Sequence, residues 1–331
     1  MKTVLASPPA HSGVSESLAW GKSRLTFLGG EAAQAECEFI LESLLGVSRA
    51  ELYLHSEQID PGVFSRFREK VEAREKRLPL AYVLGEISFW DARLEIESGV
   101  FVPRPETEGI IENFLKEGGF SSNAPFRFLD LGTGSGAIAL TISRLFSKAR
   151  GSASDISWKA LEVARRNAKH LEGGRIQWVR ADGLPGFGKE SFDVIFSNPP
   201  YLARQDLDSL DPEVRSEPRA ALDGGEDGLD FYRRLKGELG CLKRGGGLWV
   251  EIGWGQADPV RSIFESIGFD RVKVFRDLNG IDRVAAGIGF CPPHPSSLSP
   301  EGGEGGPACR LPAGRAGTGR GEGERSHPWT N

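Results

Sequence analysis

Three short segments carry residue types that chemistry needs. The first is Asp130-Leu131-Gly132-Thr133-Gly134-Ser135-Gly136, between an apolar run and a helical pattern. Alternate glycines clear side chains from a strand–helix junction, so backbone can approach a nucleotide-like ligand at the carboxyl end of a sheet. A plain turn needs only one glycine. Gly132, Gly134 and Ala137 also thread a dinucleotide fingerprint, so this motif leaves a nicotinamide dinucleotide and S-adenosylmethionine both open. The second segment is Asp155, at the end of the next strand and 19 residues after Gly136. A carboxylate there can accept from both hydroxyls of a ribose. Its competing role is to cap the helix after Ile156, a task Ser157 can also take. Asp182-Gly183 then closes the third strand, where an adenine commonly lies, and Asp182 can accept from an adenine amino group or simply sit in a turn.

The third segment, Ser197-Asn198-Pro199-Pro200-Tyr201, decides between the cofactors. Two consecutive prolines stiffen the loop and remove competing N–H groups. The side-chain carbonyl of Asn198 and a proline carbonyl can together receive both hydrogens of an –NH2 group. Tyr201 supplies a flat face over a planar substrate. A dehydrogenase has no use for a grip on an amide or exocyclic amine, which leaves S-adenosylmethionine as the expected cofactor. Asn198, Pro199 and Tyr201 are the expected catalytic residues, and Gly132, Thr133, Gly134, Ser135, Gly136, Asp155, Asp182, Gly183 and Asn198 the expected cofactor contacts.

The elements that must position these residues alternate. Apolar strand patterns fall at 126–131, 152–155, 176–181, 192–197, 247–252, 271–276 and 282–287, with helical patterns at 137–146, 157–170, 229–242 and 259–267. That alternation specifies an α/β fold with a doubly wound, mostly parallel, seven-stranded sheet. Upstream, 17–85 is helical. Cys37, Ile40, Leu41, Leu44 and Leu45 make one stripe that Gly46 breaks. Ser48 caps a short helix, and Asp60-Pro61 starts another that Pro79 ends. Its mixed charges read as a solvated face. Residues 86–108 read as a hairpin linker and 109–290 as the catalytic domain. Residues 1–16 are expected to be loose. So is the tail 291–331, where nine glycines and seven prolines leave too little apolar surface to offset ordering.

A net charge of −5 argues against a phosphate-backbone binder. The start lacks the apolar stretch of a signal peptide, and no run is long enough to span a bilayer, so the expected place is the cytoplasm. Cysteines and histidines lack ligand spacing, so no metal is expected.

The glycine loop, Asp155 and the Asn-Pro-Pro-Tyr loop resemble class I methyltransferases that modify planar nitrogens. Further segments resemble the HemK family, the protein-(glutamine-N5) methyltransferases of peptide-chain release factors. These are Pro79-Leu80-Ala81-Tyr82-Val83-Leu84-Gly85, Phe89, Phe101-Val102-Pro103-Arg104-Pro105-Glu106-Thr107-Glu108, Ser216-Glu217-Pro218, Ala221-Leu222, Gly228-Leu229, Glu251-Ile252-Gly253-Trp254-Gly255-Gln256, and Arg276-Asp277-Leu278 with Gly280 and Arg283. The resemblance covers about 20–290. It implies that the loop 132–136 lines the methionine part of the cofactor, that Asp155 holds the ribose, and that residue 183 lies by the adenine. It also implies that Asn198 touches cofactor and substrate, and that Pro199, Pro200 and Tyr201 complete a glutamine pocket. Arg104 and Glu106 would shape its entry, Glu108 would be structural, and the helical domain 17–85 would meet the release factor. The implied protein is a monomer that binds no nucleic acid or membrane directly. Gly183 departs from the bulky residue the family often has there, and the tail from Cys291 has no counterpart. Rival readings are a ribosomal-protein glutamine methyltransferase, an N6-adenine methyltransferase, for which a basic target-recognition domain is missing, and a non-catalytic scaffold.

Overall fold

The computed structural model describes residues 13–54, 58–171 and 175–292. Of the segments expected to be loose, 1–12 and 293–331 lie outside the described residues, whereas helix starts already at Val14. Five helices lead: α1 (Val14–Arg24), α2 (Gly30–Leu45), α3 (Arg49–Leu54), α4 (Pro61–Glu75) and α5 (Leu80–Leu84). Cys37, Ile40 and Leu41 on α2 are fully buried with Leu18, Phe67 and Val71, and Leu44 and Leu45 pack at the margin of this core. Ser48 and Glu51 open α3 as a reciprocal capping box, Ser48 N donating to Glu51 Oε2 at 2.8 Å and Glu51 N to Ser48 Oγ at 3.4 Å. Asp60 Oδ1 accepts from the first free amides of α4, with Pro61 at the first helical position. Pro79 does not end α4 as expected. That helix stops at Glu75, the chain turns at Arg77 in the left-handed region, and Pro79 opens α5 instead.

A short antiparallel hairpin follows, β1 (Glu86–Phe89) and β2 (Ala92–Glu95), with Glu86 opposite Glu95. Residues 96–103 continue as loop rather than strand. Helix α6 (Glu108–Glu117) leads into β3 (Arg127–Leu131), α7 (Ala137–Leu145), β4 (Arg150–Asp155), α8 (Trp158–His170), β5 (Ile176–Arg180) and β6 (Phe192–Ser197). The one-turn α9 (Pro212–Arg215), α10 (Asp230–Glu238), β7 (Leu242–Glu251), α11 (Ala257–Ile267), β8 (Phe269–Arg276) and β9 (Asp282–Phe290) complete the unit. The sheet order is β5-β4-β3-β6-β7-β9-β8, parallel except at β9, which runs antiparallel to β7 and β8. This is the doubly wound, mostly parallel seven-stranded sheet expected from the alternation. The chief difference is β7, which begins at Leu242, five residues before the expected strand, while α10 ends at Glu238 and a 3-10 turn covers Leu239–Cys241.

Successive strand residues face opposite sides. Phe128, Phe196 and Trp249 join Ile110, Phe114 and Ile138 from α6 and α7 on one face. Leu129, Ile195 and Leu248 join Tyr232, Leu235, Val260 and Phe264 from α10 and α11 on the other. Among the described residues no helix is long and apolar enough to cross a membrane, and no cluster of potential metal ligands occurs.

An ion cluster ties the helical segment to the sheet unit. Arg74, only 4% exposed, pairs with Glu36 at 2.6 Å and Glu213 at 2.9 Å. Arg77 reaches the same Glu213 through both oxygens, at 2.6 and 2.7 Å, and its guanidinium lies 4.3 Å from the centre of the Phe27 ring. The left-handed turn at Arg77 costs of order 1–3 kcal/mol, and this bidentate pair offsets it. Burial pushes the Glu213 carboxyl up, but the guanidiniums of Arg77 and Arg74 outweigh that and hold it at about 2. A carboxylate held below its ordinary 4.5 contributes stability that is complete above that value and is lost as pH falls through about 2. The melting temperature is therefore expected to drop more steeply across this acid window in the wild type than in Glu213→Gln. Parallel curves in thermal melts of the two proteins would show that the cluster contributes nothing.

Candidate active site

Between β3 and β6 the chain order of the sheet reverses, and a crevice opens beyond the carboxyl ends of strands at such a switch point. Leu131 and Ser197 are register partners there, and Ser197 Oγ donates to Leu131 O at 2.7 Å. The glycine loop and the Asn-Pro-Pro-Tyr loop thus leave the sheet side by side. A cavity of about 410 Å³ lies over them, within the range of small-molecule sites.

The loop's shape requires its glycines: Gly132, Gly134 and Gly136 all have left-handed φ, of 72°, 57° and 86°. Gly132 N and Thr133 N both donate to Ser154 O at 2.9 Å, which pins the loop to β4. Asp155 Oδ2 accepts from Gly134 N at 2.9 Å and Oδ1 from Ser157 N at 2.8 Å. Burial pushes this carboxyl up, and those backbone amides oppose the shift. Helix α8 is capped by Ser157 Oγ, which accepts from Ala160 N, so capping does not claim Asp155. Asp130 is buried beneath the loop. Its Oδ2 accepts from Thr133 Oγ1 at 2.5 Å and Ala139 N at 3.1 Å, and burial pushes it up to about 7. Asn167 of α8 braces the loop by donating to Ser135 O at 2.9 Å. It also receives Glu95 N at 2.7 Å and donates to Glu95 O at 3.0 Å. The residue chemistry of this cavity suits S-adenosylmethionine. It combines the cleared glycine loop, the Asp155 acceptor and an apolar wall of Ile156, Phe231 and Leu235.

Asp182 and Gly183 line the same cavity, but Asp182 Oδ1 is engaged by Arg234 Nη1 at 2.6 Å. Gly183 has a φ of 75°, and a Cβ there would sit 2.5 Å from Arg234 Nη2 and 2.6 Å from Glu238 Oε2. Two side chains of α10 therefore fill the space that a bulky residue 183 would need.

A second cavity of about 120 Å³ shares Phe101, Asn198 and Pro199 with the first, and adds Arg104 and Tyr201. Pro200 lines only the larger cavity, and Glu106 lines neither. Asn198 Nδ2 donates to Thr107 Oγ1 at 2.9 Å, Thr107 Oγ1 donates to Glu251 Oε2 at 2.6 Å, and Tyr201 OH donates to Glu251 Oε1 at 3.0 Å. Arg104 pairs with the buried Glu217, which also accepts from Val102 N at 3.0 Å, and its guanidinium lies 5.3 Å from the Phe101 ring centre. Glu108 accepts from Trp90 N at 2.7 Å in the hairpin turn, outside both cavities.

Sequence reasoning assigned no role to Thr107, Glu217, Arg234 or Glu251. One signal was available: Glu251 is a lone acid in the apolar run Leu248-Trp249-Val250-Glu251-Ile252, and acids are almost never fully buried unless paired. Arg234, on an amphipathic helix, carried no such mark.

The family model for the PrmC N-terminal domain matches residues 16–85, and that for the methyltransferase small domain matches 110–217. A release factor glutamine methyltransferase of Caulobacter vibrioides is 39% identical over 82% of this chain and 95% of its own. Its namesake from Geobacter sulfurreducens is 38% identical over 82% and 94%. A solved protein-(glutamine-N5) methyltransferase (release factor-specific) from Alicyclobacillus acidocaldarius is 31% identical, covering 58% of this chain and 97% of that one with a TM-score of 0.35. The full-length relatives carry the assignment: the chain belongs to the release factor glutamine methyltransferase family.

Proposed function

We propose that the protein methylates the side-chain amide nitrogen (N5) of the glutamine in the Gly-Gly-Gln loop of peptide-chain release factors, with S-adenosylmethionine as donor. The observation that carries this reading is the meeting of the two cavities at Asn198 and Pro199. The larger suits the cofactor and the smaller a single uncharged side chain. The names of the relatives point to the same substrate.

When bound, the cofactor supplies a methyl group already activated on a sulfonium, its C–S bond breaking as the N–C bond forms, so no base is needed before attack and the nitrogen's surplus proton leaves to solvent afterwards. The residues' task is placement. Asn198 Nδ2 is committed to Thr107, which leaves Oδ1 to accept one amide hydrogen of the glutamine, with the Pro199 carbonyl taking the other. Acceptors on both hydrogens favour the more pyramidal, electron-richer nitrogen of the transition state. They also hold it roughly 3–3.5 Å from the carbon it attacks. Tyr201, tethered at its hydroxyl, walls the amide plane, and Arg104 with Phe101 frames the entrance. The loop 132–136 and Asp155 grip the methionine and ribose parts, Gly183 borders the adenine, and the helices 17–85 receive the release factor. Asp182 borders the cofactor cavity beside Gly183 with its Oδ1 held by Arg234, and Glu106 stands outside the lining of both cavities.

Peptide mass mapping of a release factor after incubation with protein and cofactor is expected to show one added methyl on the Gly-Gly-Gln glutamine. Methyl transfer only to a ribosomal protein or to DNA would replace this reading with one of its rivals. Asn198→Ala should lower single-turnover rate about 10²–10³-fold at saturating cofactor and substrate. Retention of more than about a third of the rate would make the loop a structural turn. Asp155→Ala should weaken S-adenosylmethionine binding about 10- to 150-fold in calorimetric titration, the value of a charged hydrogen bond to ribose. An unchanged dissociation constant would confine Asp155 to holding Gly134 and Ser157.

A further inference from the structure

We propose that Glu251 and Thr107 are positioning residues for methyl transfer: a buried carboxylate, acting through one hydroxyl, dictates which end of the Asn198 amide faces the substrate. This rests on the amide-holding role given to Asn198 above.

Glu251 ends β7 at 1% exposure, where an unpaired carboxylate would be strongly unfavourable. Its two oxygens take two hydroxyls, Tyr201 OH at 3.0 Å and Thr107 Oγ1 at 2.6 Å. An ionised carboxylate only accepts, so both hydroxyls must donate to it. Having given its single hydrogen to Glu251, Thr107 Oγ1 has only lone pairs left. The Asn198 atom 2.9 Å away must then be the amide nitrogen. Nothing intrinsic to an asparagine fixes this choice, because the two ends of its amide are nearly the same size. The reversed amide would meet the –NH2 of a glutamine with another –NH2, donor against donor. One charge thereby converts an ambivalent side chain into an acceptor, and the same charge holds the Tyr201 ring by its hydroxyl.

The groups around Glu251 define when this works. Burial pushes it up to about 7, the Thr107 and Tyr201 hydroxyls and the charge of Arg283 oppose the shift, and Glu106 adds to it. Tyr232 donates to the backbone carbonyl of Glu251 at 2.8 Å and leaves the carboxylate to the other two hydroxyls. In mildly alkaline solution the carboxylate is ionised and both hydroxyls point inward. A protonated Glu251 has a hydrogen of its own to place, and one hydroxyl must turn round.

The test uses the full-length protein in mildly alkaline buffer. The side-chain amide protons of Asn198 are assigned as the pair missing from the ¹H–¹⁵N spectrum of Asn198→Asp. They are expected to shift in Thr107→Val and Glu251→Gln, and to return toward the wild-type position in Thr107→Ser. Single-turnover methylation at saturating cofactor and glutamine substrate should fall about tenfold or more in Thr107→Val and Glu251→Gln, the scale of a misplaced reacting group. Thr107→Ser, which restores the hydroxyl, should recover most of that loss. Unmoved Asn198 protons in both variants, or rates above about half of wild type, would overturn the positioning role. If the wild-type protein transfers no methyl to any release factor, the proposed function fails instead, and the spectra alone decide whether Glu251 and Thr107 orient Asn198.

Discussion

The parallel pairing of β3 with β6 is the constraint on which the rest depends. Two loops with different tasks spring from neighbouring strands, so their separation starts from the inter-strand spacing of roughly 4.8 Å and not from the packing of mobile elements. The register partnership of Leu131 and Ser197 fixes that start, and the Ser197 hydroxyl on the Leu131 carbonyl reinforces it where the ladder ends. A slip of one residue would turn Phe128 and Phe196 away from α6 and α7 and present Leu129 and Ile195 in their place. Both buried faces therefore guard the alignment of the two loops.

Against this apolar frame stand two acids, Asp130 at the end of β3 and Glu251 at the end of β7, each 1% exposed and each pushed up to about 7 by burial. Neither has a guanidinium or ammonium as hydrogen-bond partner. Their partners are a threonine hydroxyl with a backbone amide, and a threonine hydroxyl with a tyrosine. A core selected for stability alone would hold neither acid. Their position at the carboxyl ends of strands, under the loops, fits the general rule that local compromise concentrates where function is placed.

The sheet was legible because its residues obey periodicities: near-continuous apolar runs for buried parallel strands, and three- and four-residue steps for helices. The two loops were legible because glycine and proline restrict the backbone in known ways. Two kinds of feature were not. The hairpin was read too long because Ile96, Val100 and Phe101 are as apolar as strand residues, yet Ile96 and Val100 anchor a loop against α8 and Phe101 lines the cavities. Thr107, Glu217, Arg234 and Glu251 act across large separations in sequence, and no local pattern announces which hydroxyl or guanidinium an isolated acid will meet. The Asp182–Arg234 pair joins β5's end to a helix 52 positions later and was invisible for that reason.

Asn167 has a consequence beyond bracing the loop. Its carbonyl and amide meet the N–H and C=O of Glu95 much as a neighbouring backbone residue would, so β2 gains a side-chain surrogate for the strand it lacks on its outer side. A two-stranded ribbon is marginal in water, and its open edges invite pairing with other chains. Here one helix residue closes the exposed pair of groups at Glu95, and the ribbon is docked on α8 instead of being left as a template for aggregation.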